Sequence, residues 1–381
     1  MFSKRLKWNS RTNPLSELLA QKLEEGAPIL DLTESNPTHA GLDYPADEIL
    51  AAAFDKSILR YDPDPRGLYE AREAVAEHVG ADVSRIVLTA STSEAYSYLF
   101  KLLMDPGDEV LVPRPSYPLF DYLAELESVR VKQYPLRYDG AWHVDFAALE
   151  ALLSERTRAI AVVNPNNPTG SFLKRDEWAR LQEFASTRKI AILSDEVFAD
   201  YSFDGDPGRV STLIGEQSAL TFSMSGLSKV CGLPQMKLGW IVASGEHSET
   251  ALNGLELIAD TFLSVATPVQ VAVARLLAAG ESVRAQIQDR TAANLALLRE
   301  VFGEPSAARP LHVEGGWYAV LQVPGTQSEE QWAVSLLKDQ DVRVQPGFFY
   351  DFENEAYLIL SLLTDEAVFE EGIRRIAAAV G

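Results

Sequence analysis

Short runs of uninterrupted apolar residues, separated by stretches with a helical repeat, dominate the middle of the chain. Ile86-Val87-Leu88, Glu109-Val110-Leu111-Val112, Ala159 to Val163, Ile190 to Leu193, Ala219 to Ser223 and Leu238 to Ala243 each read as a strand. Ser93 to Met104, Leu119 to Leu126 and Arg175 to Thr187 carry apolar residues at helical spacing between them. Runs apolar at every position are strands covered on both faces, so the pattern predicts a mostly parallel sheet wrapped by helices. In such a sheet ligands bind at the carboxyl ends of the strands.

Before this rhythm, the pattern predicts a short helix over Leu15 to Leu23, an apolar run at Ile29 to Leu32, and helices over Leu50 to Phe54 and Leu68 to Val79. The last two flank a stiff loop, Asp62-Pro63-Asp64-Pro65, in which proline fixes the backbone. After it, Leu252 to about Leu298 is helical with an interruption at Pro268. Strands follow at Gly316 to Val323, Val342 to Gln345 and Tyr357 to Leu362. The expected fold class is α/β. A large domain, residues 46–284, holds a mostly parallel sheet of the seven-stranded type, and a small α+β domain combines the N-terminal arm, 1–45, with the C-terminal part, 285–381.

Composition narrows the partners. The chain has 381 residues, 46% of them hydrophobic and 23% charged, as in a soluble globular enzyme. A net charge of -21 argues against nucleic acid or an anionic membrane as the main partner, since both require a basic face. The single cysteine, Cys231, excludes an internal disulfide, and its apolar neighbours make it a packing residue. Lys4, Arg5 and Lys7 are not followed by an apolar stretch, so no signal peptide is expected, and no run approaches the ~20 apolar residues of a membrane span. A cytoplasmic protein is the expectation.

Each strand end of the large domain carries polar residues. Thr89-Ala90-Ser91-Thr92-Ser93-Glu94 places small hydroxyl residues where a helix begins, which suits either simple capping or an anion such as phosphate. Pro113-Arg114-Pro115-Ser116-Tyr117-Pro118 is a proline-stiffened loop that aims one ring, either into core or onto a flat heterocycle. Asn164-Pro165-Asn166-Asn167-Pro168-Thr169-Gly170 holds more asparagines than a turn requires. Asp195 and Glu196 are adjacent and point to opposite sides of an extended backbone, so they are not a paired acid and base. Thr221 to Lys229 runs from a strand through a Ser/Gly-rich turn into a lysine, and a lysine at a strand end can be desolvated into a nucleophile. A phosphate cradle, a stacking ring, an amide, a carboxylate and a lysine are together what pyridoxal phosphate requires. The five histidines show no metal-ligand spacing, and no dinucleotide, phosphate-loop or nucleophile-elbow motif is present.

In Asn164 to Gly170, Ser194 to Tyr201 and Ser225 to Trp240 the chain resembles the fold-type I pyridoxal-phosphate enzymes, class I/II aminotransferase branch. The resemblance implies an aminotransferase with pyridoxal 5'-phosphate as cofactor, moving an amino group from a small-molecule donor to a keto acid. It implies Lys229 as the aldimine lysine and proton carrier, Asp195 as partner of the ring nitrogen, Asn167 as donor to the ring 3-oxygen, and Tyr117 as the stacked ring. Ser91, Thr92 and Ser93 match the phosphate-binding turn, Lys237 stands at the family's phosphate-binding arginine, and Ser225, one step before the family's serine position, is a further cofactor-binding candidate. Tyr61, followed at a short distance by Gly67, matches the tyrosine that reaches the phosphate of the neighbouring subunit, so a homodimer with shared sites is implied.

Departures from the family pattern fall on both sides of the site. Phe198 stands where the family usually has Tyr, Gly226 where it prefers Ser, Lys237 where it has Arg, and Ser35 where it has Gly. Ile359 occupies the place of the arginine that clamps the substrate α-carboxylate. Asn36, Arg60 and Arg66 are candidate substitutes, and Arg374 and Arg375 are the alternative should the register differ. Small dicarboxylic donors are therefore expected to bind weakly, and donors with apolar bulk, or with an amine away from the carboxylate, better. Elimination, decarboxylation or a cyclase step on the same fold, and a non-catalytic cofactor-binding regulator, remain alternatives at this level.

Overall fold

The structure is a computed structural model that describes residues 3, 5, 13–203, 205–303, 305–354 and 356–381. Lys4 and Lys7 of the N-terminal basic stretch lie outside the described residues. In chain order the strands are β1 (Leu30–Asp31), β2 (Ile86–Thr89), β3 (Glu109–Arg114), β4 (Arg130–Tyr138), β5 (Trp142–Val144), β6 (Thr157–Val163), β7 (Ala191–Asp195), β8 (Thr221–Gly226) and β9 (Gly239–Ser244). They continue with β10 (Arg309–Pro310), β11 (Tyr318–Gln322), β12 (Val342–Arg343), β13 (Gln345–Pro346) and β14 (Tyr357–Ser361).

Among the described residues, eight strands form the large sheet, in the order β2-β9-β8-β7-β6-β3-β4-β5. β4, β3, β6, β7 and β8 pair in parallel. β9 runs antiparallel to both β8 and β2, which gives β2 the direction of the parallel set. The carboxyl ends of β2, β3, β6, β7 and β8 therefore lie along one edge. The expected sheet is extended by β5, which folds back on β4 as an antiparallel outer strand.

The apolar runs are buried on both faces, as their composition requires. Val87, Val110, Ala161, Leu193, Phe222 and Ile241 pack on the side that holds the helices Thr92–Leu103 and Ser248–Phe262. Their chain neighbours Ile86, Leu88, Leu111, Ile160, Ile192 and Val242 pack on the other side. A second core joins the two ends of the chain. Leu15 and Leu32 pack with Leu298, Trp332, Leu336, Phe369 and Ile373 over the antiparallel sheet β10-β11-β14-β13. β1 pairs with β12, setting Leu30 opposite Val342. The helix Thr267–Val301 runs unbroken past residue 285 and contributes to both cores. No helix of the described residues is long and apolar enough to cross a membrane.

Candidate active site

The turn after β6 shows where its surplus asparagine goes. Asn164 donates from Nδ2 to the Val210 carbonyl (2.8 Å) and accepts from the Leu173 N–H (2.9 Å). Asn166 accepts from the Thr169 N–H and hydroxyl (3.3 and 2.9 Å). These two stitch the turn. Each of the last two asparagines still has a buried, unpartnered atom, Nδ2 of Asn166 and Oδ1 of Asn167. A buried amide with unused capacity implies a ligand at that point, because a polar group without a partner there is costly.

β7 ends one strand away, and the Asn164 N–H donates to the Asp195 carbonyl (2.8 Å). The two acidic neighbours do point apart. Glu196 is buried and fully used, accepting from Ser194 Oγ (2.8 Å), Ser223 Oγ (2.9 Å), Thr212 Oγ1 (2.6 Å) and the Leu213 N–H (2.9 Å). Asp195 accepts from the Tyr96 hydroxyl (3.3 Å) and the Val197 N–H (3.2 Å). Burial pushes the Asp195 carboxyl up to about 6, against the pull of those two hydrogen bonds. Its charge also acts on Tyr117, whose phenol burial raises to about 12.

Lys229 follows β8, in the helical turn Leu227–Val230. Its carbonyl accepts from the Tyr201 hydroxyl (2.6 Å). Its Nζ lies over two rings, 4.4 Å from the centroid of Trp317 and 5.4 Å from that of Phe198. Burial lowers the amine to about 8, partly opposed by the Asp195 charge. The amine thus reaches the neutral, nucleophilic form near physiological pH.

Gly226 explains its own departure from serine. A Cβ there would stand 2.9 Å from the Leu238 carbonyl oxygen, so the lysine turn and the start of β9 meet backbone to backbone. Gly239 across from it would bring a Cβ to 3.0 Å from the Ser225 oxygen and 3.2 Å from the Ser91 carbonyl carbon. That contact sets Ser225 beside the helix start at Ser91. Ser91 caps the helix Thr92–Leu103 by accepting from the Glu94 N–H (3.2 Å), and Thr92 and Ser93 occupy its first turn. A helix N-terminus next to a buried serine favours an anion.

Two members of the expected set are exposed. Lys237 is exposed at the end of the short Pro234–Met236 turn, one residue from Leu238. Tyr61 is exposed in the Asp62 to Pro65 loop, which lines a cavity with Tyr98, Leu263 and Ser264, and no described contact joins it to Lys229 of the same chain.

On the substrate side the candidate arginines make ion pairs of their own, that of Arg60 on the exposed surface. Arg66 donates to Glu256 (2.6 Å) and Asn253 (3.2 Å), and Arg60 pairs with Asp62 (2.7 Å). Asn36 accepts from its neighbour Thr38. Arg374 and Arg375 pair with Glu370 and Glu371 one turn back on the helix Glu366–Val380. Ile359 is 1% exposed, opposite Val320 of β11 and Gln345 of β13, within a cluster that includes Trp317, Tyr318 and Tyr350. Ile359→Arg would bury a guanidinium there without a partner. The expected result is a loss of about 3 kcal/mol or more in denaturant unfolding. Unchanged stability with tighter binding of simple amino acids would contradict this packing.

Residues absent from the sequence reading complete the site: Tyr96 on Asp195, Tyr201 on the Lys229 carbonyl, and Trp317 under the amine. Tyr96 and Trp317 sit in stretches that read as packing and meet their partners across long stretches of chain, whereas Tyr201 closes the Ser194 to Tyr201 motif and had no role assigned to it.

Residues 27–376 match the family model described as aminotransferase class I and II. Glutamate-pyruvate aminotransferase AlaA of Escherichia coli (strain K12) is 31% identical over 274 residues, covering 68% of this chain and 66%, just under two thirds, of that protein. Arginine–pyruvate transaminase AruH of Pseudomonas aeruginosa is 27% identical over 370 residues, covering 93% of this chain and 91% of that protein. The solved structure of alanine aminotransferase from Pyrococcus furiosus superposes with a TM-score of 0.86 at 23% identity, covering 100% of this chain and 99% of the other. The chain belongs to the class I and II aminotransferase family.

Proposed function

We propose that this chain is a pyridoxal-phosphate-dependent aminotransferase that moves an amino group from an amino donor to a keto acid, and that pyruvate serves as that keto acid. The observation that carries the reading is the Lys229 amine, lowered to about 8 and set near the desolvated carboxylate of Asp195. Relatives that differ in their named donor, glutamate and arginine, share pyruvate in their names.

The residues fit the cofactor. Asp195 would hold the ring nitrogen, the side-chain N–H of Asn167 would donate to the ring oxygen, and Tyr117 would cover one ring face. Ser91, Thr92, Ser93, Ser225 and Lys237 would hold the phosphate, and Tyr61 would reach the phosphate of the neighbouring subunit. Phe198 offers a ring but no hydroxyl. When bound, pyridoxal phosphate supplies an aldehyde for amine exchange and an electron sink for the carbon that loses its proton. Lys229, neutral in roughly a tenth of molecules at pH 7, supplies the base and returns the proton as acid. The Tyr201 hydroxyl fixes the lysine backbone, so the amine swings about a fixed point. The ring cluster of Trp317, Tyr318 and Tyr350 excludes water on the small-domain side.

The exposed apolar residues Phe54, Leu59, Tyr61, Leu257 and Phe262 support a homodimer. The two cores support the division into 46–284 and 1–45 with 285–381. A small-molecule site, the net charge of -21 and the lone buried Cys231 support a cytoplasmic enzyme without nucleic-acid or membrane partners.

With Ile359 in place of an arginine, the substrate loses a charge-assisted bond of roughly 1.5–3 kcal/mol, which no second negative charge can replace in a ring-lined pocket. A donor panel with pyruvate, read as alanine formed, tests this. Donors with apolar bulk are expected to exceed aspartate by about tenfold or more in kcat/KM. Saturation by aspartate or glutamate at low concentration would overturn the donor preference, and alanine from no donor would overturn the acceptor.

A further inference from the structure

We propose that Trp317 is a positioning residue whose indole face holds the Lys229 amine whenever that amine is not bonded to the cofactor. This rests on the reading of Lys229 given above and adds the group that receives it on release. The Lys229 Nζ lies 4.4 Å from the Trp317 ring centroid, within the range in which a ring face attracts an ammonium, and indole attracts it most strongly.

The indole is held as a fixed platform. Phe198 and Tyr201 meet it edge-on, with centroids at 5.3 and 5.2 Å. Its backbone is anchored on both sides: the Gly316 N–H donates to the Tyr201 carbonyl (2.7 Å), and the Leu362 N–H donates to the Trp317 carbonyl (2.8 Å). Just upstream, buried Glu314 accepts from the Phe172 N–H (2.8 Å) and pairs with Lys174 (2.7 Å) and Arg209 (3.1 Å). Gly315 has no room for a side chain, because a Cβ would stand 2.3 Å from the Tyr201 carbonyl oxygen. The segment that carries the ring is thus locked to the segment that carries Phe198 and Tyr201.

Tyr201 touches both ends of the arrangement, with its hydroxyl on the Lys229 carbonyl and its ring on Trp317. The lysine is gripped at its backbone by one aromatic residue and at its amine by the other. Asp195, at the end of β7, is the charged group that acts on the amine, and the phenol of Tyr201 is spent on the carbonyl. A released amine therefore has a carboxylate and two ring faces to attract it, and of the rings the indole is both the nearer and the stronger. Asp195 is to be engaged by the cofactor, which leaves Trp317 to hold the amine within reach of the reacting carbon.

The test uses holoenzyme converted to its aminated state by a donor, in which the lysine is free. Trace acetylation by acetic anhydride across pH 6–10, with the Lys229 peptide quantified by mass spectrometry, reads the titration midpoint of that one amine. In Trp317→Leu the midpoint is expected to fall by about one unit, because the ring no longer stabilises the ammonium. In Trp317→Phe, which keeps a weaker ring, it is expected to fall by about half as much. The donor half-reaction should slow with the donor KM unchanged. A midpoint that stays or rises in Trp317→Leu overturns the proposal, and if that variant does not fold, an unmoved midpoint in Trp317→Phe does so. Attachment of the cofactor to a different lysine would instead overturn the reading of Lys229, and peptide mapping separates the two failures.

Discussion

Lys229→Ala is expected to lose transamination by at least about 10⁴-fold while the protein folds and still takes up cofactor. The magnitude follows from removing a general base and acid, a contribution of about 10²–10⁴, together with the nucleophile. Binding should persist because the other contacts are independent of the lysine: Asn167, Tyr117 and the first turn of Thr92–Leu103 come from other elements. Stability should not fall, because the wild-type amine is desolvated and its pKa depressed, which is a cost of folding rather than a gain. Residual turnover near the parent rate would place the chemistry on another group. Loss of folding would mean the lysine is structural.

The second large effect is expected at Asp195, in opposite directions for chemistry and for folding. Its carboxyl rises from 3.8 to about 6 because it is buried, so the folded state binds this proton more tightly than the unfolded state does. That contribution is fully present below about pH 4 and is lost as pH rises through 6. At pH 8 the buried anion is unfavourable by about 3 kcal/mol, using about 1.4 kcal/mol per unit. Asp195→Asn should therefore raise the melting temperature of cofactor-free protein at pH 8, with the gain shrinking towards pH 4. The same change should slow transamination by at least about 100-fold, since a neighbouring carboxylate shifts a proton's affinity by 1–3 units. Glu196→Gln serves as the contrast. Its four hydrogen-bond partners are all structural, so it should lower stability and leave the donor half-reaction close to normal. A silent Asp195→Asn beside a damaging Glu196→Gln would reverse the roles of the two residues.

The strands that carry the site were legible because they are buried on both faces. Ala159 to Val163 and Ile190 to Leu193 contain no polar residue, which marks strands covered on both faces. Their polar ends were legible for the same reason, since each motif follows directly on such a run. β4 was not, because Arg130 to Tyr138 lies towards the sheet edge with mixed exposure and a proline inside it, which removes both the apolar run and the alternation. The reversed direction of β9 left no trace either, because an apolar run carries no sign of its orientation. Of the site, the residues with polar signatures at strand ends could be named: Ser91, Asn167, Asp195 and Lys229. Tyr96 and Trp317 could not, because an aromatic residue in an apolar stretch reads as packing whether or not it also touches a functional group. Arg66 pairs with Glu256, a partner visible only in three dimensions, whereas Arg60 pairs with Asp62 two residues along the chain.

The central claim is that Lys229 is the point at which cofactor and chain are joined. Borohydride reduction of the yellow holoenzyme, followed by proteolysis and peptide mass mapping, tests it most directly. A single stable pyridoxyl adduct is expected on the peptide containing Lys229, and none in Lys229→Ala. An adduct on any other lysine, or no adduct from a protein that carries bound cofactor, would contradict it.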